Sequence, residues 1–313
     1  FVVNGMNVLM SVVLALGIKS IGYEGMGFPG IAAGTVAAQY SGLLVAVLLA
    51  VFKYRRNTFS TLSFSDLKGV FKGSETRRFF VMNTDLFVRS LCFIAIYIGF
   101  TVISARYGDL LLAVSSIMMK LLMIFSYFTD GFAYAGEAMT GKYIGAKDAV
   151  MLRQTVKWTF VWSMGIALIF IGIYHFAGVP LLRMMTSDVT VVEASREYLP
   201  WLLLMPVIGC AAFTWDGIYI GATASKAIRN SMLWAVVGFT AVWFIGIACL
   251  NWLSPGIGLD SAAAGSLPAS GSDVSGATDY GRIAMHILMA AYFAHLLART
   301  IYLSAKYRKV VHI

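Results

Sequence analysis

The chain has 313 residues, 59% of them hydrophobic and 12% charged, with a formal charge of +9 and a mean hydropathy of +0.78. A soluble domain of this size carries about 25% charged residues, so the composition excludes an ordinary water-soluble enzyme or binding module and calls for lipid as the solvent. The positive charge does not indicate nucleic acid: Lys53, Arg55, Arg56, Lys68, Lys72, Arg77 and Arg78 crowd one stretch, and the other basic residues lie mostly near the ends of apolar runs.

Runs able to cross roughly 30 Å of hydrocarbon as helices are expected near 1–17, 29–51, 79–104, 110–135, 151–177, 196–221, 229–252 and 281–304, about eight spans in all. The chain starts at Phe1 with no basic n-region and no cleavage signature, and reads as a fragment whose upstream part is missing rather than as a signal peptide. Residues 1–51 are expected to end one helical bundle, 52–78 to form a basic, Ser/Thr-rich linker, and 79–313 to form a second bundle. With 52–78 in the cytoplasm, alternation sends Lys142, Lys147, Arg153 and Lys157, then Lys226 and Arg229, then Lys306, Arg308 and Lys309 to that same side, as cytoplasmic retention of basic loops requires. Thr186, Ser187 and Asp188 offer helix-start chemistry ahead of the sixth span. The Gly/Ser/Ala-rich stretch 254–280 reads as a flexible external connection, with a substrate lid as the alternative. Cys92, Cys210 and Cys249 fall inside spans and read as buried small hydrophobes, with no metal site or disulfide framework implied.

Ionisable residues inside spans are costly and mark pathways or internal pairs. Asp85 and Arg89 lie about 10 and 16 Å beyond Arg78 along a helix, and their i, i+4 spacing lets them pair with one another. Such a pair is either structural or functional. Asp130 lies roughly 18 Å from Lys142. The run from Asp109 to Gly145 would measure about 55 Å as one helix, so it must bend, tilt or leave the membrane, with Gly131 a place for irregular backbone. Glu137 either snorkels or caps, and Lys120 needs a carboxylate or water. Asp216, about 15 Å from Lys226, follows Trp215 and precedes Gly217 in a span that also holds Pro206 and Gly209. If Asp216 compensates a transported cation, Asp216→Asn should keep folding and lose transport; a structural aspartate predicts the reverse. Tyr127, Phe128, Phe132, Tyr134, Trp215, Met118, Met119 and Met123 offer a lining suited to bulky lipophilic cations.

The stretch from Tyr127 to Asp148, containing Thr-Asp-Gly-Phe-Ala-Tyr-Ala-Gly-Glu-Ala-Met, resembles the eighth-helix region of multidrug and toxic compound extrusion (MATE) transporters of the DinF-like branch. Phe213 to Met232, with Trp-Asp-Gly-Ile-Tyr-Ile-Gly, resembles that branch's tenth helix and following loop. Asn7-Val-Leu, Gly25-Met-Gly and Gly30 to Gln39 resemble the fifth and sixth helices. The resemblance implies an all-α, polytopic membrane protein with MATE-like helical bundles: the last two helices of the first bundle and a complete six-helix second bundle. It implies that Asp85 and Asp216 match family carboxylates of the seventh and tenth helices. A first-helix aspartate used for proton coupling by DinF-like members has no counterpart in this sequence, and Ser11 stands where relatives often carry an acid.

The function implied is a secondary active antiporter that exports amphipathic or cationic organic compounds in exchange for H⁺ or Na⁺ by alternating access, with no cofactor. The alternative is a lipid-linked saccharide flippase, which needs several deep arginines or lysines for phosphate, and only Arg89 and Lys120 are deep candidates. No HExxH metal pattern or repeated filter motif points to an enzyme or channel, and His175, His286 and His295 read as packing or interfacial residues. The expected partners are small lipophilic substrates and membrane lipids, with no nucleic acid, in a monomer placed in a bacterial inner membrane with 52–78 and the C-terminus cytoplasmic.

Overall fold

The computed structural model describes residues 2–17, 24–54, 74–253 and 271–310. Every regular element among them is a helix: α1 Val2–Leu16, α2 Phe28–Tyr54, α3 Ser74–Ala105, α4 Asp109–Gly145, α5 Ala149–Met185, α6 Val189–Arg196, α7 Leu199–Gly221, α8 Ser225–Leu253 and α9 Gly271–Val310. Seven of these are long and apolar enough to cross a membrane, so this is an all-α, multi-pass membrane protein. The expected first span corresponds to α1, whose 15 described residues extend about 22 Å, short of the hydrocarbon thickness.

The chain divides into two compact units, Phe1–Arg77 and Arg78–Ile313. In the first unit, α1 and α2 meet along a glycine seam. A Cβ on Gly30 would collide with the backbone of Leu14, and one on Gly34 with the backbone of Ser11, so only glycine permits this approach. Asn7 Oδ1 accepts from Ser11 Oγ at 2.9 Å and from Thr35 Oγ1 at 3.4 Å across the seam. Most of the expected linker, 55–73, lies outside the described residues.

In the second unit α7 is the central post. About two thirds of its span is buried, and α4, α5 and α9 pack around it. Leu202, Met205 and Phe213 of α7 join Met118, Leu122 and Phe125 of α4, Phe170 of α5 and Leu288 and Tyr292 of α9 in the main core. A second cluster, around Ile218, Tyr219 and Leu303, continues towards the other end. The short α6 starts where helix-start chemistry was expected: Asp188 Oδ1 accepts from the backbone N–H of Thr190 at 2.8 Å, satisfying a first-turn donor. Asp148 caps α5 in the same way.

Three expectations need correction. Gly131 is not a place of irregular backbone: Asp109–Gly145 is one unbroken α-helix of 37 residues, where the glycine costs only propensity, so its length is met by tilt or by leaving the membrane. The stretch 254–280 is not all loop: α9 begins at Gly271, and its early turns gain an ion pair between Asp279 and Arg282 at 3.1 Å, while 254–270 lies outside the described residues. Of the cysteines only Cys210 is buried; Cys92 is half-buried and Cys249 exposed on α8.

Candidate functional site

The geometry around Asp216 starts from two glycines one helical turn apart. A Cβ on Gly217 would strike the carbonyl of Ala133, and one on Gly221 the carbonyl of Glu137, so α7 lies directly against α4. The glycine beside Asp216 therefore serves close packing; α7 runs through it without a break. Trp215 turns the other way, into a cluster with Phe160 and Tyr307 at ring-centroid distances of 4.8 and 5.0 Å, and donates from Nε1 to Ser304 Oγ at 2.9 Å. It is packed rather than open to a cavity.

Asp216 is 5% exposed, and its Oδ2 accepts from two guanidiniums: Nη2 of Arg89 on α3 at 2.6 Å, and Nη2 of Arg299 on α9. The two arginines differ. Arg299 is 1% exposed and lies 5.8 Å from the centroid of the Phe213 ring, a cation–π contact in a dry setting. The Arg89 side chain is 30% exposed. Asp216 Oδ1, Arg89 Nε, Arg299 Nε and Nη1 and His295 Nε2 are buried without a hydrogen-bond partner, so the cluster keeps unused polar capacity. His295 itself is fully buried, with Nδ1 on the carbonyl of Tyr292.

Asp130 is half-buried and within electrostatic range of Asp216, Arg89 and Arg299, without a hydrogen bond of its own among the described residues. Two aspartates and two arginines thus form a set of zero net charge. Glu137 and Tyr134, further along the same face of α4, also act on Arg89.

Asp85 and Arg89 do not pair with one another. Asp85, 2% exposed, accepts from Arg229 Nη1 at 2.6 Å and from Ser225 Oγ at 2.8 Å, both in the first turns of α8. Helix-surface spacing makes the local pair possible, but both side chains face inward, where a partner on a neighbouring helix offers further hydrogen bonds and the helix N-terminus favours the carboxylate. Tyr127 and Tyr134 are exposed and Met123 is half-buried, whereas Met118 and Met119 pack into the core. Lys120 is exposed on α4, about 16 Å from Asp109, with no partner among the described residues. On a membrane-spanning helix, Asp130 and Glu137, two turns apart on one stripe, mark a face that does not meet lipid.

Sequence reasoning missed Arg299 and the contact of Arg229 with Asp85, and read His295, here fully buried, as a packing or interfacial residue. Arg299 lies only seven residues from Lys306 and so resembled one more span-end cation. The available signal was His295 four residues earlier, which puts two ionisable groups on one face of the otherwise largely apolar run 287–305.

A family model described as MatE matches residues 86–247. The chain is 33% identical over 252 residues to DNA damage-inducible protein F of Escherichia coli (strain K12), covering 80% of this chain and 51% of the relative. It is 25% identical over 270 residues to Probable multidrug resistance protein NorM of Photorhabdus laumondii subsp. laumondii, covering 81% and 54%. It is also 25% identical over 156 residues to Protein DETOXIFICATION 42 of Arabidopsis thaliana, covering 49% and 28%. The chain thus spans about half the length of the first two relatives. No solved structure matches it.

Proposed function

The chain belongs to the MatE family, and from that premise we propose that the protein is a secondary antiporter exporting amphipathic or cationic organic compounds in exchange for H⁺ or Na⁺. The observation that carries this reading is the charge-balanced set of Asp130, Asp216, Arg89 and Arg299 inside membrane-spanning helices. Charges in hydrocarbon are costly and are retained where an ion or substrate passes. Asp130 and Glu137 line the open side of the set, Arg89 and Arg299 hold Asp216, Asp85 ties α3 to α8, and Lys120 lies exposed further along α4. Alternating access then needs no covalent chemistry and no cofactor, only two conformations that differ in affinity for the exchanged cations.

Arg299 bears on the lipid-linked saccharide flippase, because it adds a second deep arginine. Both arginines donate to one carboxylate, however, and Asp130 supplies a second negative charge within their reach, so the set as a whole is neutral and offers phosphate little. The antiporter reading is the better supported. We assign the protein to a bacterial inner membrane as a monomer, with 52–78 and the C-terminus cytoplasmic.

The test is ethidium movement in proteoliposomes under separate H⁺ and Na⁺ gradients, beside a flipping assay with a fluorescent polyprenyl-phosphate lipid. Gradient-driven ethidium transport that an ionophore collapses is the expected result. Lipid flipping without ethidium transport would overturn the reading in favour of the flippase.

A further inference from the structure

All the groups involved lie in the second unit. Of the two guanidiniums on Asp216, Arg299 is sealed in the core beneath Phe213, while Arg89 is partly open, spends one Nη2 on the carboxylate and leaves Nε unpartnered. The two aspartates are unequal in the opposite sense. Asp216 is enclosed by both arginines; Asp130 is half-open, has no hydrogen bond of its own among the described residues, and sits within the electrostatic reach of Arg89. Arg299 alone suffices to keep Asp216 neutralised.

α3 is held along its first half by two charged tethers, Asp85 to Arg229 and Arg89 to Asp216. Towards its other end, Ile96 and Phe100 join the core, and Ser104 Oγ accepts from Ser115 Oγ at 2.8 Å. The carboxylate that Arg89 chooses therefore decides how the first half of α3 is fastened.

We propose that Arg89 is a tethered counter-cation that passes between Asp216 and Asp130, and that Asp130 is the carboxylate on which the proton or the organic cation loads. This rests on the antiporter reading above. With Asp130 occupied, its charge is cancelled and Arg89 is held on Asp216 through its Nη2 contact with Oδ2 at 2.6 Å. With Asp130 empty, its charge draws Arg89 away from Asp216, and Arg299 covers Asp216 alone. Ligand and Arg89 compete for one carboxylate, and the competition moves α3.

The other ionisable groups facing this exchange are Tyr134 and Glu137 on α4 itself, His295 on α9 beside Arg299, and Asp216 on α7. The helices α5 and α6 also pack on α4, and among the described residues they bring no ionisable group into the electrostatic reach of Asp130. Glu137 is the rival acid, because it too acts on Arg89.

The test is equilibrium binding of ethidium to the intact purified protein by fluorescence anisotropy across pH 5 to 9, paired with transport in proteoliposomes. Removing a competing unit charge, even at about 10 Å with an effective dielectric near 20, changes affinity by at least about tenfold. Arg89→Gln should therefore bind ethidium about tenfold more tightly yet transport it more slowly, because nothing displaces it. Arg89→Lys should behave like wild type, which separates loss of the charge from misfolding. Asp130→Asn should bind at least about tenfold more weakly and lose the pH dependence, whereas Glu137→Gln, which removes the rival acid, should keep it.

Unchanged or weaker binding by a folded Arg89→Gln overturns the exchange. A pH dependence that survives Asp130→Asn and vanishes in Glu137→Gln overturns the assignment of Asp130. Wild type that transports ethidium while these variants fail the pattern sinks only this inference. Wild type that neither binds nor transports any organic cation sinks the antiporter reading with it.

Discussion

Asp216→Asn is the most informative single substitution, and the structure changes what it should do. Asparagine keeps the size and one carbonyl acceptor but removes the charge that two guanidiniums share. Arg89 is 30% exposed and within range of Asp130, so it has somewhere to go. Arg299 is 1% exposed, with Nε and Nη1 already unpartnered, and becomes a buried cation without a counter-charge in direct contact. Breaking a buried pair from one side costs about 3–5 kcal/mol. At about 2–4 °C per kcal/mol for a domain of this size, the melting temperature should fall by roughly 10 °C. Folding is then not left nearly intact, as a freely exchanging aspartate would allow. The assay is thermal denaturation in detergent followed by tryptophan fluorescence, with Asp216→Asn/Arg299→Met as the companion variant. The companion should recover most of the loss, since it removes the stranded charge as well. A single variant melting within about 2 °C of wild type would refute the claim that Asp216 is the fixed counter-charge of Arg299.

Gly217→Val places a branched side chain on the Ala133 carbonyl, so α7 must withdraw from α4 at a cost of about 1–3 kcal/mol, read as a lower melting temperature and slower ethidium transport; a variant that melts and transports like wild type would show that this contact is not needed. Glu197, on the connection between α6 and α7, accepts from Arg282 Nε at 3.0 Å and Nη2 at 2.9 Å, and from His286 at 3.2 Å, and the Arg282 hydrogen bonds hold its carboxyl below the ordinary value of 4.5. A depressed folded-state value contributes stability that is present above pH 4.5 and lost as the pH falls through the depressed value. The effect is small because the Glu197 side chain is 36% exposed, and it should appear as a convergence of wild type and Glu197→Gln in melting temperature on acidification below pH 4.5; a constant gap would refute it. For the orientation, an impermeant thiol reagent on intact cells should label Arg106→Cys, on the connection between α3 and α4, and spare Lys147→Cys, between α4 and α5; the reverse pattern would invert the proposed topology.

The architecture was legible because its causes are local. Lipid demands long apolar runs, and each of the seven long helices falls on an expected run; most ends are displaced by a few residues, but α4 runs on to Gly145 and α5 to Met185, well past the expected ends at 135 and 177. The cap on α6 was also readable, since Asp188 bonds to N–H groups two and three residues ahead of it. Gly217 and Gly221 were visible as glycines, but their partners were not: whether a glycine bends a helix or admits a neighbour depends on what lies across from it, and here that is the backbone of α4.

Asp85, Arg89, Asp130 and Asp216 were legible as ionisable residues inside spans, Arg299 was not, and the pairs they form were not, for an electrostatic reason. In water, the partner of a charge is the nearest opposite charge along the helix, and i, i+4 spacing would have joined Asp85 to Arg89. In a low-dielectric bundle, each charge must instead gather enough hydrogen bonds to offset its desolvation, and the helix carrying it cannot supply them. Asp85 finds a guanidinium and a hydroxyl at the start of α8; Asp216 takes guanidiniums from α3 and α9. Each choice crosses between helices far apart in sequence, so no periodicity records it. The same reasoning separates the acids by task. A carboxylate whose charge is fully met from within the bundle fixes helices in place, and one left half-open with a movable cation nearby is free to exchange. On the proposed exchange, Asp216 is of the first kind and Asp130 of the second. The stretch Phe213–Met232 then carries the anchor, while the exchangeable group lies across the glycine contact, on α4.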